Sequence, residues 1–416
     1  MNQDIIANIV TKSKKAFSIS AILDDKLKNA ALLKARDLLI DNYKEILEAN
    51  KIDIEIAKKS GKNSAYIDRL NLNKERLISA ANSLAEIAKF PDPVGKIIYS
   101  DKRPNGLVIK RVTVPLGVIA IIYEARPNVT IDAWGLCLKS GNVAILRPGS
   151  DSFNSSLAIM KFLNQALLEF DLTQDIVQIL PNSDRELLSE MLALKTGIDV
   201  IIPRGGKNLI EMVSSKTSIP IFKHLDGNCH SYIHKDADLE KAINILFNAK
   251  MRRTAICGAT ESVVIDRDIL PKIIPLISQK FSNKCEIRAD APAREFAKEF
   301  LIANEQDFAT EYLDAIFSIK TVNNISEAIE HINKFSSAHT DAIITENKDA
   351  ANEFLQKIDS AIVMLNSSTQ FADGGEFGLG AEIGISTGRM HARGPVGIEQ
   401  LVTYKYQVTG NGQVRK

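Results

Sequence analysis

One cysteine in this chain has neighbours that can activate it. In Asn248-Ala-Lys-Met-Arg-Arg-Thr-Ala-Ile-Cys257-Gly-Ala-Thr-Glu261, the arginines Arg252 and Arg253 lie just ahead of the thiol. Cations beside a cysteine favour the thiolate, which is the nucleophilic form. The same guanidiniums can hold an anionic substrate bidentately. The competing reading is that Cys257 is a small buried hydrophobe, as most free cysteines are. Three other loops can cradle a nucleotide. In Leu146-Arg147-Pro-Gly-Ser150, Arg147 and Ser150 are candidates for a ribose 2′-phosphate, the group that separates NADP from NAD. They read equally as a surface arginine and a helix cap at Ser150 or Asp151. In Ile202-Pro-Arg204-Gly205-Gly206-Lys207, the glycines let phosphate oxygens approach the backbone and a helix N-terminus. In Tyr123-Glu-Ala-Arg126-Pro-Asn128, Arg126 or Asn128 can donate to a developing oxyanion, or the segment is simply a polar turn.

Further along, His331 and His339 flank Phe335-Ser336-Ser337, and Thr340-Asp341 follows. The cluster His339, Thr340, Asp341 can grip the polar groups of a small substrate, or it is a helix end and a turn. No set of His, Asp and Glu has the spacing of metal ligands, so no metal is expected. No G-x-G-x-x-G occurs. Gly378-Leu-Gly-Ala-Glu-Ile-Gly384 misses it by one residue and follows no evident strand.

The elements that must position these groups follow from periodicity. Helical spacing runs through residues 4–90 and stops at Pro91-Asp-Pro93. Two β-rich runs then flank the turn Pro104-Asn105-Gly106. An isolated hairpin is marginal in water, so this one should pair with another chain or with the strand-like tail Leu401–Val408. From Gly117 to Phe222, strands at 117–122, 143–146, 176–180 and 199–202 alternate with helices, as in a doubly wound parallel sheet. Such sheets bind nucleotides at the carboxyl ends of their strands. A helix over 238–250 leads to Cys257 and then to the β-branched strand Ser262–Ile265. Beyond it, helices at 270–281, 293–302, 325–333 and 348–358 alternate with strands at 315–322, 342–345 and 361–365. A glycine-rich loop runs from 374 to 397. The fold class is therefore α/β.

Totals narrow the function classes. A chain of 416 residues with 45% hydrophobic and 25% charged residues is an ordinary globular protein of two or three domains. A net charge of +1 implies neither nucleic acid nor an anionic membrane surface as partner. The four cysteines form no C-x-x-C pair, which argues against a zinc ribbon or a disulfide framework. No signal-like N-terminus or membrane-length apolar run is evident, so a reducing cytoplasmic setting is expected.

Several segments together match a known family. Asn248-Ala-Lys with Arg253 and Cys257 looks like a nucleophile loop. Ala328-Ile-Glu-His331 through Phe335-Ser-Ser-Ala-His339-Thr-Asp341, Phe371-Ala-Asp-Gly-Gly-Glu-Phe-Gly-Leu-Gly-Ala-Glu382, and His391-Ala-Arg393-Gly-Pro-Val-Gly397 complete the pattern. Over essentially its full length the chain resembles the γ-glutamyl phosphate reductases (glutamate-5-semialdehyde dehydrogenases), a branch of the aldehyde dehydrogenase superfamily. It departs at Phe335, where the signature usually has His or Tyr. It departs again at Arg252 and Thr254, where Gln or Tyr and then Pro are commoner.

The resemblance implies an aldehyde-dehydrogenase-like fold of two doubly wound α/β domains. It implies an NADP-binding domain over 1–94 and 115–225, a catalytic domain over 226–398, and an oligomerisation hairpin and tail at 95–114 and 399–416. It implies NADPH-dependent reduction of L-glutamyl 5-phosphate in proline biosynthesis by a homo-oligomer, with the glutamate 5-kinase that makes this substrate a candidate partner. Glu311 looks like the superfamily glutamate that holds the nicotinamide ribose, and Arg393 joins Arg252 and Arg253 as a candidate for the substrate's anions. His224-Leu-Asp-Gly-Asn228 stands where oxidising relatives carry a general-base glutamate. That fits, because reduction needs no water attack on the thioester. The alternatives are an acylating dehydrogenase using coenzyme A and a non-catalytic scaffold on the same fold.

Overall fold

Residues 2–415 are described by the computed structural model, and the chain divides into two units. The first comprises Met1–Lys223, Gly378–Gly384 and Val396–Lys416; the second comprises His224–Phe377 and Ile385–Pro395.

The first unit opens with α1 (Asn2–Ser20), α2 (Asp25–Asp41), α3 (Tyr43–Lys59), α4 (Ser64–Leu70) and α5 (Lys74–Lys89). Side-chain oxygens of Asp24, Asn63 and Asn73 satisfy first-turn N–H groups of α2, α4 and α5. The hairpin follows as β1 (Ile97–Lys102) and β2 (Val108–Pro115), antiparallel, with Gly106 at φ +89° in the turn. Then come four parallel strands, β3 (Val118–Tyr123), β4 (Val143–Pro148), β5 (Val177–Ile179) and β6 (Val200–Arg204), in the order β5-β4-β3-β6. Helices α6 (Val129–Lys139), α7 (Phe153–Leu168), α8 (Arg185–Leu192) and α9 (Lys207–Lys216) follow them in turn. Every residue of β3 and β4 is buried, which is why they read as unbroken apolar runs. Strand order reverses at β3, so its carboxyl end and that of β6 flank the crevice where such sheets take ligands.

The second unit holds β7 (Cys229–Ile233), α10 (Leu239–Met251), β8 (Thr260–Asp266), α11 (Leu270–Phe281), β9 (Glu286–Ala289), α12 (Ala291–Arg294), β10 (Leu301–Ile302), α13 (Glu305–Phe308), β11 (Ile316–Val322), α14 (Ile325–Phe335), β12 (Thr340–Ile344), α15 (Lys348–Lys357) and β13 (Ile362–Leu365). Its parallel sheet has the order β10-β9-β11-β8-β7-β12-β13. Strands β14 (Ile385–Ser386) and β15 (Gly394–Pro395) form a small separate ribbon. Among the described residues, apolar clusters hold the unit around Val263, Phe281 and Phe317, around Tyr232, Ile332 and Phe354, and around Ala342, Ile362 and Met364.

The helix expected over 293–302 is not there. Only α12 is helical, and Leu301–Ile302 pairs with β9 as an exposed edge strand. Pairing with the sheet outweighs the local helical spacing. Strand β7 is absent from the expectation because polar residues interrupt it.

The last strand, β16 (Val402–Thr409), returns to the first unit and pairs antiparallel with β2 along its length. Of the two expected pairings for the hairpin, the tail is the one formed within this chain. No helix among the described residues is long and apolar enough to cross a membrane.

Candidate active site

Cys257 lies in the loop between α10 and β8, half-buried, and its backbone is gripped from several sides. The Cys229 Sγ–H donates to the Cys257 carbonyl at 3.0 Å. Gly227 presses on the same residue: a Cβ there would stand 2.2 Å from the Cys257 oxygen. Only a residue without a side chain can pass so close. On the far side Gly258 packs on Thr369, where a Cβ would meet the carbonyl oxygen at 3.0 Å. Gln370 ties down the approach, donating to the carbonyls of Ala249 at 2.8 Å and Arg253 at 3.2 Å. The two sulfurs are not alike. Burial raises the Cys229 thiol well above its ordinary range and keeps it protonated, which suits its part as a donor. Cys257 is the more accessible thiol.

Around the thiol stand groups from distant segments. Glu311 accepts from the Gly227 N–H at 2.9 Å, and burial raises its carboxyl above the usual range. The ligating atoms of His224, Cys257 and His339 all lie within 4.8 Å of one another. His224 Nδ1 is 3.0 Å from the Ile385 carbonyl, and His339 Nδ1 is 2.8 Å from the Thr340 hydroxyl. Arg252 and Arg253 are exposed, and Arg252 reaches the Gln370 oxygen at 3.3 Å. Beneath the loop, Lys250 and Glu261 form a fully buried ion pair at 2.5 Å. Burial pushes the Glu261 carboxyl up to about 7, with Lys250 pulling the other way.

In the first unit, the three candidate loops meet at the carboxyl ends of β3, β4 and β6. The Gly149 N–H donates to the Tyr123 carbonyl at 2.7 Å, and the Glu124 N–H to the Arg204 carbonyl at 3.1 Å. A Cβ on Gly205 would lie 2.7 Å from a Glu124 carboxylate oxygen. The helix starts here lack side-chain caps: Gly206 leads α9, Ser152 leads α7 and Asn128 leads α6, and none caps. The Asn128 amide instead donates to Asp132 at 3.1 Å. Arg126 follows Ala125, a non-glycine residue held at φ +51°. Arg147 and Arg204 each bury a guanidinium Nε with no hydrogen-bond partner among the described residues. Such orphaned donors are rare in a finished fold and fit a site for an anionic group.

The aldehyde dehydrogenase family model matches residues 1–294 and 303–394. The γ-glutamyl phosphate reductase of Brucella suis biovar 1 (strain 1330) is 50% identical over 413 residues, covering 99% of this chain and 98% of that one. The chain belongs to the γ-glutamyl phosphate reductases of the aldehyde dehydrogenase family. The crystal structure of the γ-glutamyl phosphate reductase from Thermotoga maritima superposes with a TM-score of 0.96 at 42% identity, covering 99% of this chain and all of that one. An acetylating aldehyde dehydrogenase from Geobacillus thermoglucosidasius, at 16% identity and TM-score 0.72 over 100% of this chain and 98% of that one, shares the fold.

Within this reductase-family fold, several sequence assignments change. Arg147 is not a surface arginine. It is 6% exposed, its Nη2 donates to the Ser183 carbonyl at 2.8 Å, and burial lowers its pKa. Ser150 is exposed in a turn, and Ser152 rather than Ser150 or Asp151 leads the helix. Thr340 and Asp341 are fully buried in β12. Asp341 accepts from the His230 N–H at 2.9 Å, from Ser336 at 2.7 Å and from Ser360. Its carboxylate braces the strand ends and is not presented to a substrate. Arg393 is tied to Asp359 at 2.7 Å, which competes with any anion it would bind. His224, Cys257 and His339 converge from three segments that no spacing in the sequence links. Gly227, Cys229 and Gln370 are not among the candidates that the sequence offers. The glycine was the available signal, since glycine beside polar residues marks close backbone approach.

Proposed function

We propose that the chain reduces L-glutamyl 5-phosphate to L-glutamate 5-semialdehyde and phosphate, with NADPH, through a thioester on Cys257, as a cytoplasmic enzyme of proline biosynthesis. The half-buried Cys257, held between Gly227 and Gly258 with its carbonyl fixed by Cys229, carries this reading. Membership in the γ-glutamyl phosphate reductases supports the substrate.

The Cys257 thiolate adds to the acyl carbon, forming a C–S bond and an oxyanion. The Cys257 backbone N–H, carried by the nucleophile itself, would stabilise that charge. Collapse breaks the bond to the phosphate oxygen, and phosphate leaves with a proton from solvent. Bound NADPH supplies the hydride that reduces the thioester. The resulting tetrahedral adduct expels the Cys257 thiolate and frees the aldehyde. Arg252 and Arg253 hold the substrate's anionic groups. The residues of the first unit that would hold the dinucleotide are Arg147, Ser150, Arg204, Gly205 and Gly206; by the family resemblance Glu311 is the candidate for its nicotinamide ribose. The orphaned Nε atoms of Arg147 and Arg204, with the uncapped start of α9, support a phosphate-bearing cofactor. The sheet of β1, β2 and β16 exposes Ile97, Ile98, Tyr404, Tyr406 and Val408, and serves as the oligomerisation element.

Cys257→Ser tests the mechanism. It should abolish NADPH oxidation with the acyl phosphate and the phosphate-dependent reverse reaction together. Appreciable turnover by this variant, measured from nicotinamide absorbance, overturns the covalent route.

A further inference from the structure

We propose that His224, Cys257 and His339 form a binding site for a soft divalent cation such as Zn²⁺, and that occupancy blocks the thiol. The binding stands on the geometry alone; the block rests on Cys257 being the nucleophile.

The three donor atoms lie within 4.8 Å of one another. A tetrahedral zinc ion with bonds of about 2.0 Å to nitrogen and 2.3 Å to sulfur separates its donors by roughly 3.3–3.6 Å. Closing the difference takes side-chain rotations and no movement of the sheet, because Cys257 and His224 are only half-buried. The donor chemistry selects the metal. One thiolate with two imidazoles suits zinc or copper and excludes magnesium and calcium, which take oxygen.

The outer partners fit as well. A ligating histidine commonly donates its other ring N–H to a carbonyl or similar acceptor, which fixes the tautomer. His224 Nδ1 is placed to donate to the Ile385 carbonyl at 3.0 Å, directing the Nε2 lone pair to the metal. His339 Nδ1 stands in the same relation to the Thr340 hydroxyl at 2.8 Å. The two rings lie edge to face with centroids 5.5 Å apart, close enough to serve one ion. Cys257 loses its proton to solvent on coordinating, and the imidazoles bring lone pairs. Water completes the fourth position, as in other sites with three protein ligands. Coordination draws electron density from the sulfur, and the ion with its water occupies the space an acyl carbon must enter, so the metal acts as a reversible inhibitor.

The test uses the full-length enzyme, stripped with chelator and free of substrate. Zn²⁺ affinity is read by competition with a chromophoric chelator. Co²⁺ is added in parallel, and its sulfur-to-cobalt charge-transfer absorption reports a thiolate ligand. The proposal expects one ion per chain, that absorption band, and inhibition that chelator reverses. His224→Ala and Cys257→Ser should each weaken binding by at least about 100-fold, the upper end of what loss of an outer partner alone costs. Cys257→Ser changes one atom and guards against misfolding in the histidine variant. Absence of stoichiometric binding, or binding undiminished in both variants, overturns the site. Binding at this site without inhibition overturns the block alone; the assignment of Cys257 as nucleophile is decided separately, by the turnover of Cys257→Ser.

Discussion

Gly227→Ala would place a methyl carbon 2.2 Å from the Cys257 carbonyl oxygen and 2.6 Å from its Cα. Ordinary contact begins at 3.4 Å, so the two backbones must part by about 1.2 Å. The obstacle is main chain and cannot rotate away. Gly227 does not occupy the left-handed region, so alanine brings no conformational strain of its own and the penalty is displacement. The displaced residue carries the thiol, and the same movement strains the 3.0 Å bond from Cys229 and the 2.9 Å bond from Gly227 to Glu311. Overpacking of this kind destabilises by about 1–3 kcal/mol, which leaves the fold intact. A nucleophile misplaced by about 1 Å loses on the order of 10²-fold in rate. The expected result is therefore a kcat about 100-fold down with a thermal transition only a few degrees lower. The assay is phosphate-dependent oxidation of the semialdehyde, followed by nicotinamide absorbance, beside the rate of Cys257 alkylation. Turnover equal to that of the parent protein would show that the loop yields freely and that Gly227 does not set the position of the thiol.

Three further outcomes follow from buried charge. Lys250→Met leaves Glu261 without its partner in a fully buried position and should destabilise by about 3–5 kcal/mol in denaturant unfolding; adding Glu261→Gln should restore much of that loss, and no restoration would dismiss the ion pair as its origin. Burial pushes the Asp132 carboxyl up to about 6 from 3.8, so its folded form favours the proton and the protein loses stability as pH rises through about 6. Asp132→Asn should therefore be the more stable protein at pH 8, by up to about 3 kcal/mol, with the difference fading below about pH 4; a pH-independent difference in thermal unfolding would contradict this. Arg147→Ala should weaken NADPH far more than NADH in equilibrium titration, and an unchanged preference would remove Arg147 from the 2′-phosphate site.

What the sequence disclosed divides along physical lines. The apolar runs of β3 and β4 are buried on both faces, and nothing in them disguises a parallel strand. Loops at their carboxyl ends could be named before any coordinates. Strand β7 was invisible because Cys229-His230-Ser231 is polar yet fully buried. Two of these side chains find their partners far along the chain, Ser231 at the Thr260 hydroxyl at 2.7 Å and Cys229 at the Cys257 carbonyl at 3.0 Å. No local pattern encodes partners so distant in the chain.

The candidate site of the second unit does not follow the rule that selects the candidate loops of the first. Its thiol precedes β8, Cys229 begins β7 and His339 precedes β12, so the cluster gathers at the amino ends of the strands. The carboxyl-end rule depends on helix N-termini that follow each strand. The covalent site proposed for Cys257 needs no such dipole; it needs one sulfur held still while the acyl group comes and goes. Holding it still calls for neighbouring backbone close enough to leave no slack. The local trace of that requirement is a glycine where another segment passes, which is what Gly227 and Gly258 are. In a chain of this kind the glycines beside a candidate cysteine therefore carry more positional information than the cations beside it, which lie exposed and could sit in many arrangements around the same thiol.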